Sequence, residues 1–157
     1  MSKINSEKIR KATPKDIGQL IEIKPSLTQG LIISRLNKQH LKQLEYLVLE
    51  RDGKIVSFLL LKWNGKKSHP EYPDIEDLNT LKTERQKGLG TKLVQRCEQL
   101  VRSRGFNKIG LAVNPNLNKN AYHLYKNLGY RHDNLKSYVD GVYNGVKDFV
   151  IDLEKDL

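Results

Sequence analysis

Cysteine is nearly missing from this sequence. Cys97 is the only one among 157 residues, so no intrachain disulfide can form. It falls on the apolar face of a predicted helix, which marks it as a buried thiol rather than a nucleophile. Long apolar runs are missing as well. The longest, at residues 57–61, has the length of a strand and not of a membrane span, so no membrane partner is expected. Residues 1–10 are polar and hold no apolar signal region, which predicts a cytoplasmic protein. No His, Cys and Asp spacing suggests a metal site. Linkers, internal repeats and low-complexity tracts are lacking too, so one domain over residues 1–157 is expected.

Acidic residues are scarce beside basic ones: 18 Asp and Glu face 28 Lys and Arg, for a net charge of +10. That balance favours an anionic partner, whether nucleic acid or a phosphorylated cofactor. The positive charge is spread along the chain. It gathers only in short clusters, at 66–67 and 102–104, and forms no basic tail. RRM, zinc-finger and helix-turn-helix patterns are absent, so a nucleic-acid partner is not expected.

What is present is a regular alternation of elements. A strand at 8–12 precedes a helix start at Thr13-Pro14-Lys15-Asp16, with Thr13 as N-cap and Pro14 at the first helical position. Ile17, Leu20 and Ile21 give that helix its apolar face, and Pro25 stops it. Ser26 or Thr28 caps a second helix that ends near His40. Strands at 46–50 and 54–63 flank Asp52-Gly53, a hairpin signal. Residues 64–73 read as a loop and 75–81 as a strand. A helix over 89–104 has Leu89, Leu93, Val94, Cys97, Leu100 and Val101 on one stripe and stops at Gly105. Then come a strand at 108–113, a loop at 114–119, a helix at 120–127 and an extended stretch at 130–138. Turns follow at Asp140-Gly141 and Asn144-Gly145, and a last strand covers 146–153. This order predicts a mixed sheet with helices on its faces, an α/β class.

One junction stands out. Arg85-Gln86-Lys87-Gly88-Leu89-Gly90-Thr91 joins a strand to a helix N-terminus. The first N–H groups of a helix lack intrahelical acceptors and carry partial positive charge. Glycine lets a phosphate approach the backbone closely. The turn is therefore a candidate anion site. A nicotinamide-type Gly-x-Gly-x-x-Gly fits poorly, because position 93 is Leu93.

A second stretch names the anion. Residues 118–130 read Asn-Lys-Asn-Ala-Tyr-His-Leu-Tyr-Lys-Asn-Leu-Gly-Tyr. They fill every fixed position of Asn-x-x-Ala-x-x-Leu-Tyr-x-x-x-Gly-Phe/Tyr, and residues 85–90 fill Arg/Gln-x-x-Gly-x-Gly/Ala. Both patterns, in this order and each in its strand–helix setting, resemble the GNAT superfamily of N-acetyltransferases. The resemblance covers essentially the whole chain and is strongest at 75–130. It implies a twisted, mostly antiparallel mixed sheet of about seven strands, splayed between the fourth and fifth, with about four helices.

The resemblance also implies roles. The pyrophosphate of acetyl-CoA would rest on backbone N–H groups of Gln86, Lys87, Gly88, Leu89, Gly90 and Thr91, with Arg85 and Lys87 adding charge. The pantetheine arm would pair with the backbone of Leu78, Asn79 and Thr80, as an added strand does. Tyr125 matches the general acid that protonates the departing thiolate. Read alone, it also suits a core tyrosine. Asn118 would hydrogen-bond the cofactor arm, or cap its helix, or both. Glu76 matches the strand glutamate that takes the amine proton through water. A solvated strand carboxylate is the alternative.

The acceptor side would be built from residues 29–35, 69–74 and 138–143. Trp63, Tyr72, Tyr138 and Tyr143 are candidate lining residues, and His69 is either a base or an ordinary loop histidine. Glu71, Asp74, Glu76 and Asp77 form a local acidic run able to attract an ammonium group. Ala112 stands where some peptide α-amino acetyltransferases carry a fifth-strand glutamate, which argues against a protein N-terminus as acceptor. The loop from Val113 to Asn118 is one residue longer than usual. The implied function is transfer of an acetyl group from acetyl-CoA to a primary amine of a small molecule or peptide, by direct attack in a ternary complex without metal. A non-catalytic acyl-CoA sensor and a basic nucleic-acid-binding module stay open as alternatives, as does a homodimer.

Overall fold

The computed structural model describes residues 6–132 and 136–157. The chain runs β1 (Glu7–Lys11), α1 (Ile17–Ile23), α2 (Gln29–His40), β2 (Leu44–Arg51), β3 (Lys54–Lys62), β4 (Asp74–Thr80), α3 (Leu89–Ser103), β5 (Lys108–Val113), α4 (Lys119–Asn127), β6 (Arg131–His132), β7 (Tyr138–Tyr143) and β8 (Val146–Asp156). The strands form one mixed sheet of eight in the order β1-β2-β3-β4-β5-β8-β6, with β7 pairing β8. The α/β class and the four helices are as expected. The strand beyond those expected is β7, which runs through the turn expected at 140–141, while the two-residue β6 pairs with β8 at Arg131↔Glu154 and His132↔Leu153. β6 falls in the stretch expected to be extended at 130–138, of which 133–135 lie outside the described residues.

Local chemistry sets most boundaries. Thr13 and Asp16 form a capping box, with the Thr13 N–H donating to Asp16 Oδ2 at 2.8 Å, ahead of one 3-10 turn and α1. Thr28, not Ser26, caps α2 by accepting from the Leu31 N–H at 3.1 Å. Asp52 and Gly53 both have left-handed φ, 53° and 81°, and close the two-residue hairpin between β2 and β3. The turn expected at Asp140-Gly141 is absent: both residues lie inside β7, where the register to β8 shifts between Val139 and Gly141. The reversal comes at Asn144-Gly145, with φ of 52° and 78°. An Asp-Gly pair can serve a bulge as well as a turn, and here the Asn-Gly pair after it supplies the primed turn.

Strand alternation sends two sets of side chains to opposite faces. Leu47, Leu49, Leu59, Leu61, Ile75, Ile109, Leu111 and Leu153 meet Leu89, Leu93, Val94, Cys97 and Val101 of α3 on one face. Tyr46, Val48, Phe58 and Leu60 meet Leu20 and Ile23 of α1 and Ile32 of α2 on the other. Leu20, Ile32 and Leu93 are wholly buried, each contributing about 1.5–3 kcal/mol. The second helix pair thus covers only the β2–β3 half of its face. Residues 64–73 cover the β4–β5–β8 half, with polar rather than apolar contacts.

The sheet opens between β4 and β5. Among the described residues this is its only parallel pair, and it holds at just two positions, Asp74↔Gly110 and Ile75↔Leu111. Beyond Ile75 the strands part, as expected. On its other edge β4 carries a bulge: Asp77 and Leu78 together oppose Leu59, between the pairs Leu60↔Glu76 and Phe58↔Asn79. Asp77 takes a left-handed φ of 55° to make it.

Candidate active site

The parted strands place the predicted cofactor residues around one seam. Glu76, Leu78, Asn79 and Thr80 lie on the part of β4 that has no β5 partner. At its end, residues 85–88 form an exposed turn into α3. Gly88 is the α3 N-cap at φ 77°, a conformation that costs a residue with a Cβ about 1–2 kcal/mol. Gln86 is left-handed too, at φ 63°. The N–H groups of the first turn, from Leu89, Gly90 and Thr91, precede the first intrahelical bond, which runs from the Lys92 N–H to Gly88 O. Gly90 sits between Leu78 and Leu124, where a Cβ would meet a methyl of each at 3.3 Å.

The two cations of the turn are already engaged. Arg85 folds back, its Nε donating to Thr80 O at 3.1 Å, and Lys87 Nζ pairs with Glu84 Oε2 at 2.9 Å. The backbone is thus the main anion-facing surface. Asn118 is exposed at the N-cap of α4, but its side chain makes no capping bond. Its backbone serves the helix instead, with O accepting from the Tyr122 N–H at 2.9 Å.

Tyr125 stands on α4, belongs to the core on the α3 face against which Leu78 packs, and is 6% exposed. Its ring packs edge-on against Tyr130 at 5.8 Å. Burial pushes its phenol well above the ordinary value, and the carboxylates of Asp74 and Asp77 add to that. The hydroxyl is therefore protonated at neutral pH. Among the described residues no group hydrogen-bonds it. Tyr130 differs: it donates to buried Glu98 Oε2 at 2.9 Å, and Lys155 Nζ reaches the same carboxylate at 3.1 Å.

The acidic run is divided among separate partners. Glu76 is half-exposed and paired with Lys62 Nζ at 3.2 Å. Asp77 is held by Lys24 Nζ at 2.5 Å and Arg35 Nη2 at 2.9 Å, with Asn79 Nδ2 donating at 2.9 Å. Burial opposes ionisation of Asp77, but the bonds and charges of Lys24 and Arg35 outweigh it and keep the carboxyl below its ordinary value. Glu71 is exposed and lies 3.8 Å from His69 Nδ1. Asp74 is 2% exposed, and its Oδ2 has no hydrogen-bond partner among the described residues.

Lys66, Ser68 and Asp152, to which the sequence assigned no site role, gather beside Asp74 with the candidates His69 and Tyr138. Asp152 of β8 accepts from Lys66 Nζ at 3.0 Å, Ser68 Oγ at 2.7 Å and Tyr138 OH at 2.6 Å, with His69 Nε2 at 3.1 Å. Tyr72 stacks on His69 at 5.1 Å and donates to Glu154 Oε2 at 3.1 Å. Residues 64–73 are thus fastened over the sheet by side chains up to 86 positions away in the chain. Of the candidate lining residues, Tyr72 and Tyr138 belong to this assembly. Trp63 lies in the α3 core, under Arg104 at 3.7 Å, and Tyr143 is exposed near the hairpin tip. The only sequence signal for Asp152 was a charge between Ile151 and Leu153, a buried-strand position whose partner local pattern cannot name. A hollow of about 450 Å³ between β1 and α3 is away from this seam and brings no such groups together.

The chain matches the profile of the Acetyltransferase (GNAT) family over residues 17–130. It belongs to that family. This GNAT chain is an N-acetyltransferase by family, and its sheet is the GNAT sheet, with β4 and β5 parallel. Solved structures agree in fold. A GNAT-family acetyltransferase from Streptococcus pneumoniae is 23% identical, with 97% of this chain and 100% of that one aligned at TM-score 0.74. A ribosomal-protein-alanine N-acetyltransferase from Brucella melitensis is 16% identical, over 96% and 99%, at 0.79. A phosphinothricin acetyltransferase from Sinorhizobium meliloti, solved with acetyl-CoA, is 14% identical, over 96% and 88%, at 0.78. A comparison with curated sequences gives no match. Among the described residues no helix is long and apolar enough to cross a membrane.

Proposed function

We propose that the whole chain is one acetyltransferase domain that moves the acetyl group of acetyl-CoA to a primary amine of a small molecule or peptide. The seam carries this reading. It combines an unpaired stretch of β4, a helix N-terminus at its end and a buried phenol beside it. The pyrophosphate sits on the turn at 85–91 and the pantetheine arm pairs with Leu78, Asn79 and Thr80. Asn118 holds the arm from the α4 side. The thioester then lies against Tyr125, whose proton goes to the departing thiolate sulfur as the C–S bond breaks.

Transfer is direct. Cys97 is wholly buried, and burial pushes its thiol far above the ordinary value, so it is a poor acyl carrier. Ala112 on β5 provides no carboxylate, so β4 is the nearer source of a base, with Glu76 the residue that the family resemblance points to. Acetyl-CoA and the amine are the partners, and the cytoplasm is the proposed location.

The test is release of free CoA thiol from acetyl-CoA across an amine panel. Tyr125→Phe is expected to lower kcat by about 10²- to 10⁴-fold with acetyl-CoA affinity near wild type. Unchanged turnover in that variant removes the role given to Tyr125. Acetyl-CoA binding without turnover of any amine points to a sensor.

A further inference from the structure

Resting on the acetyl-transfer reading above, we propose that Asp74, rather than Glu76, takes the proton from the acceptor amine, with Lys66 and Asp152 as the residues that position it. Three observations meet at this carboxylate. Asp74 belongs to the two-residue pairing of β4 with β5, opposite Gly110 and one residue before Ile75, past which the seam opens. It is 2% exposed, and its Oδ2 is a buried acceptor with no partner among the described residues. An orphan carboxylate oxygen costs several kcal/mol in desolvation unless something comes to it. Its negative charge is also among the causes that raise the phenol of Tyr125, the proposed acid. Glu76, by contrast, is half-exposed and already neutralised by Lys62.

The surroundings suit a base. Burial first, then Glu76 and Asp152, push Asp74 up, while Lys66 and Lys62 act against that and the net direction is well upward. Lys66 Nζ lies 3.9 Å from Asp74 Oδ1 but bonds Asp152 at 3.0 Å. One ammonium therefore serves two buried carboxylates. Asp152 keeps the larger share, fixed also by Ser68, Tyr138 and His69. Asp74 is left as the carboxyl that burial holds well above the ordinary carboxylate range, the direction that suits a general base.

The proton balance closes. A carboxylate so enclosed receives its proton through water in the seam. The ammonium gives one proton to Asp74, and the neutral amine attacks the thioester carbonyl. The C–N bond forms and the C–S bond breaks. Tyr125 protonates the sulfur and is restored by the second proton released from the nitrogen. The acceptor is thus a primary alkylamine that arrives as an ammonium ion.

The test is a pair of pH measurements on the full chain. In carboxyl-carbon NMR, with Asp74→Asn for assignment, Asp74 should titrate above the ordinary carboxylate range. A normal titration overturns the proposal whether or not any amine turns over. In thiol-release assays with spermidine, lysine, tyramine and a short lysine-containing peptide, Asp74→Asn should lower kcat/KM about 10²- to 10⁴-fold and abolish the acid limb. Acetyl-CoA affinity should hold. Lys66→Met removes a cation, so the limb should move to higher pH, an outcome that a purely structural lysine does not give. If Asp74→Asn keeps the limb while Glu76→Gln loses it, Glu76 is the base. In that case the Tyr125→Phe loss still stands and the acetyl-transfer reading survives.

Discussion

The contact between Tyr72 and Gly110 ties the loop at 64–73 to the middle of the sheet, and it can be taken apart quantitatively. A Cβ added at Gly110 would lie 2.6 Å from Tyr72 Cε2, inside contact distance. The ring cannot swing away cheaply, since it stacks on His69 at 5.1 Å and donates to Glu154 at 3.1 Å. Gly110→Ala should therefore destabilise by about 1–3 kcal/mol through overpacking. Tyr72→Ala removes a ring that is 6% exposed, together with its hydrogen bond, and should cost about 3–4 kcal/mol. With the ring gone the added methyl has room. The double variant should cost roughly what Tyr72→Ala costs alone, about 1–3 kcal/mol less than the sum of the singles. The assay is urea unfolding of wild type, both singles and the double. Additivity within about 0.5 kcal/mol would refute the packing argument. It would show that Gly110 answers to something other than the ring above it.

Two further outcomes follow from residues away from the seam. Asp16 is buried beneath Arg10, which donates to it at 2.7 and 2.9 Å. Burial raises its carboxyl, but the bonds from Arg10 and Thr13 prevail and hold it below the ordinary value. A depressed carboxyl contributes stability above its unfolded pKa, about 3.9, that is lost as pH falls through the lower folded value. Asp16→Asn should cost about 3 kcal/mol at neutral pH and flatten the loss of stability below about pH 4 in acid-unfolding curves. Cys97→Ala should lower stability by about 1–2 kcal/mol yet leave the transfer rate at the wild-type level. A rate collapse in a folded Cys97→Ala protein would instead require an acyl-cysteine step.

Legibility in the sequence followed the range of the interactions involved. Signals that act within a few residues were readable: the capping box at Thr13 and Asp16, the primed turn at Asp52-Gly53, the apolar stripe of α3. The turn at 85–91 and the position of Tyr125 were readable because motif and periodicity agreed. Asp140-Gly141 misled because one dipeptide serves two backbone shapes, and the choice rested on Asn144-Gly145 further along. Asp77 gave no sign of a left-handed bulge, since its conformation is held by Lys24, Arg35 and Asn79. The assembly around Asp152 was invisible for the same reason. Lys66 and Asp152 become neighbours only once β4, β5 and β8 have been laid side by side.

The two-residue pairing of β4 with β5 also bears on how this protein lives in a cell. A sheet interrupted at its centre has less cohesion there than its size suggests, because beyond that short pairing each half holds the other through helices and side chains. On the proposed reading the missing ladder is completed by a metabolite. Any ligand that binds the folded chain alone stabilises it in proportion to the logarithm of its concentration, about 2.7 kcal/mol at a hundredfold excess over Kd. The lifetime of the folded chain would then rise and fall with the acetyl-CoA supply, so that proteolysis would remove the enzyme fastest when its donor is scarce.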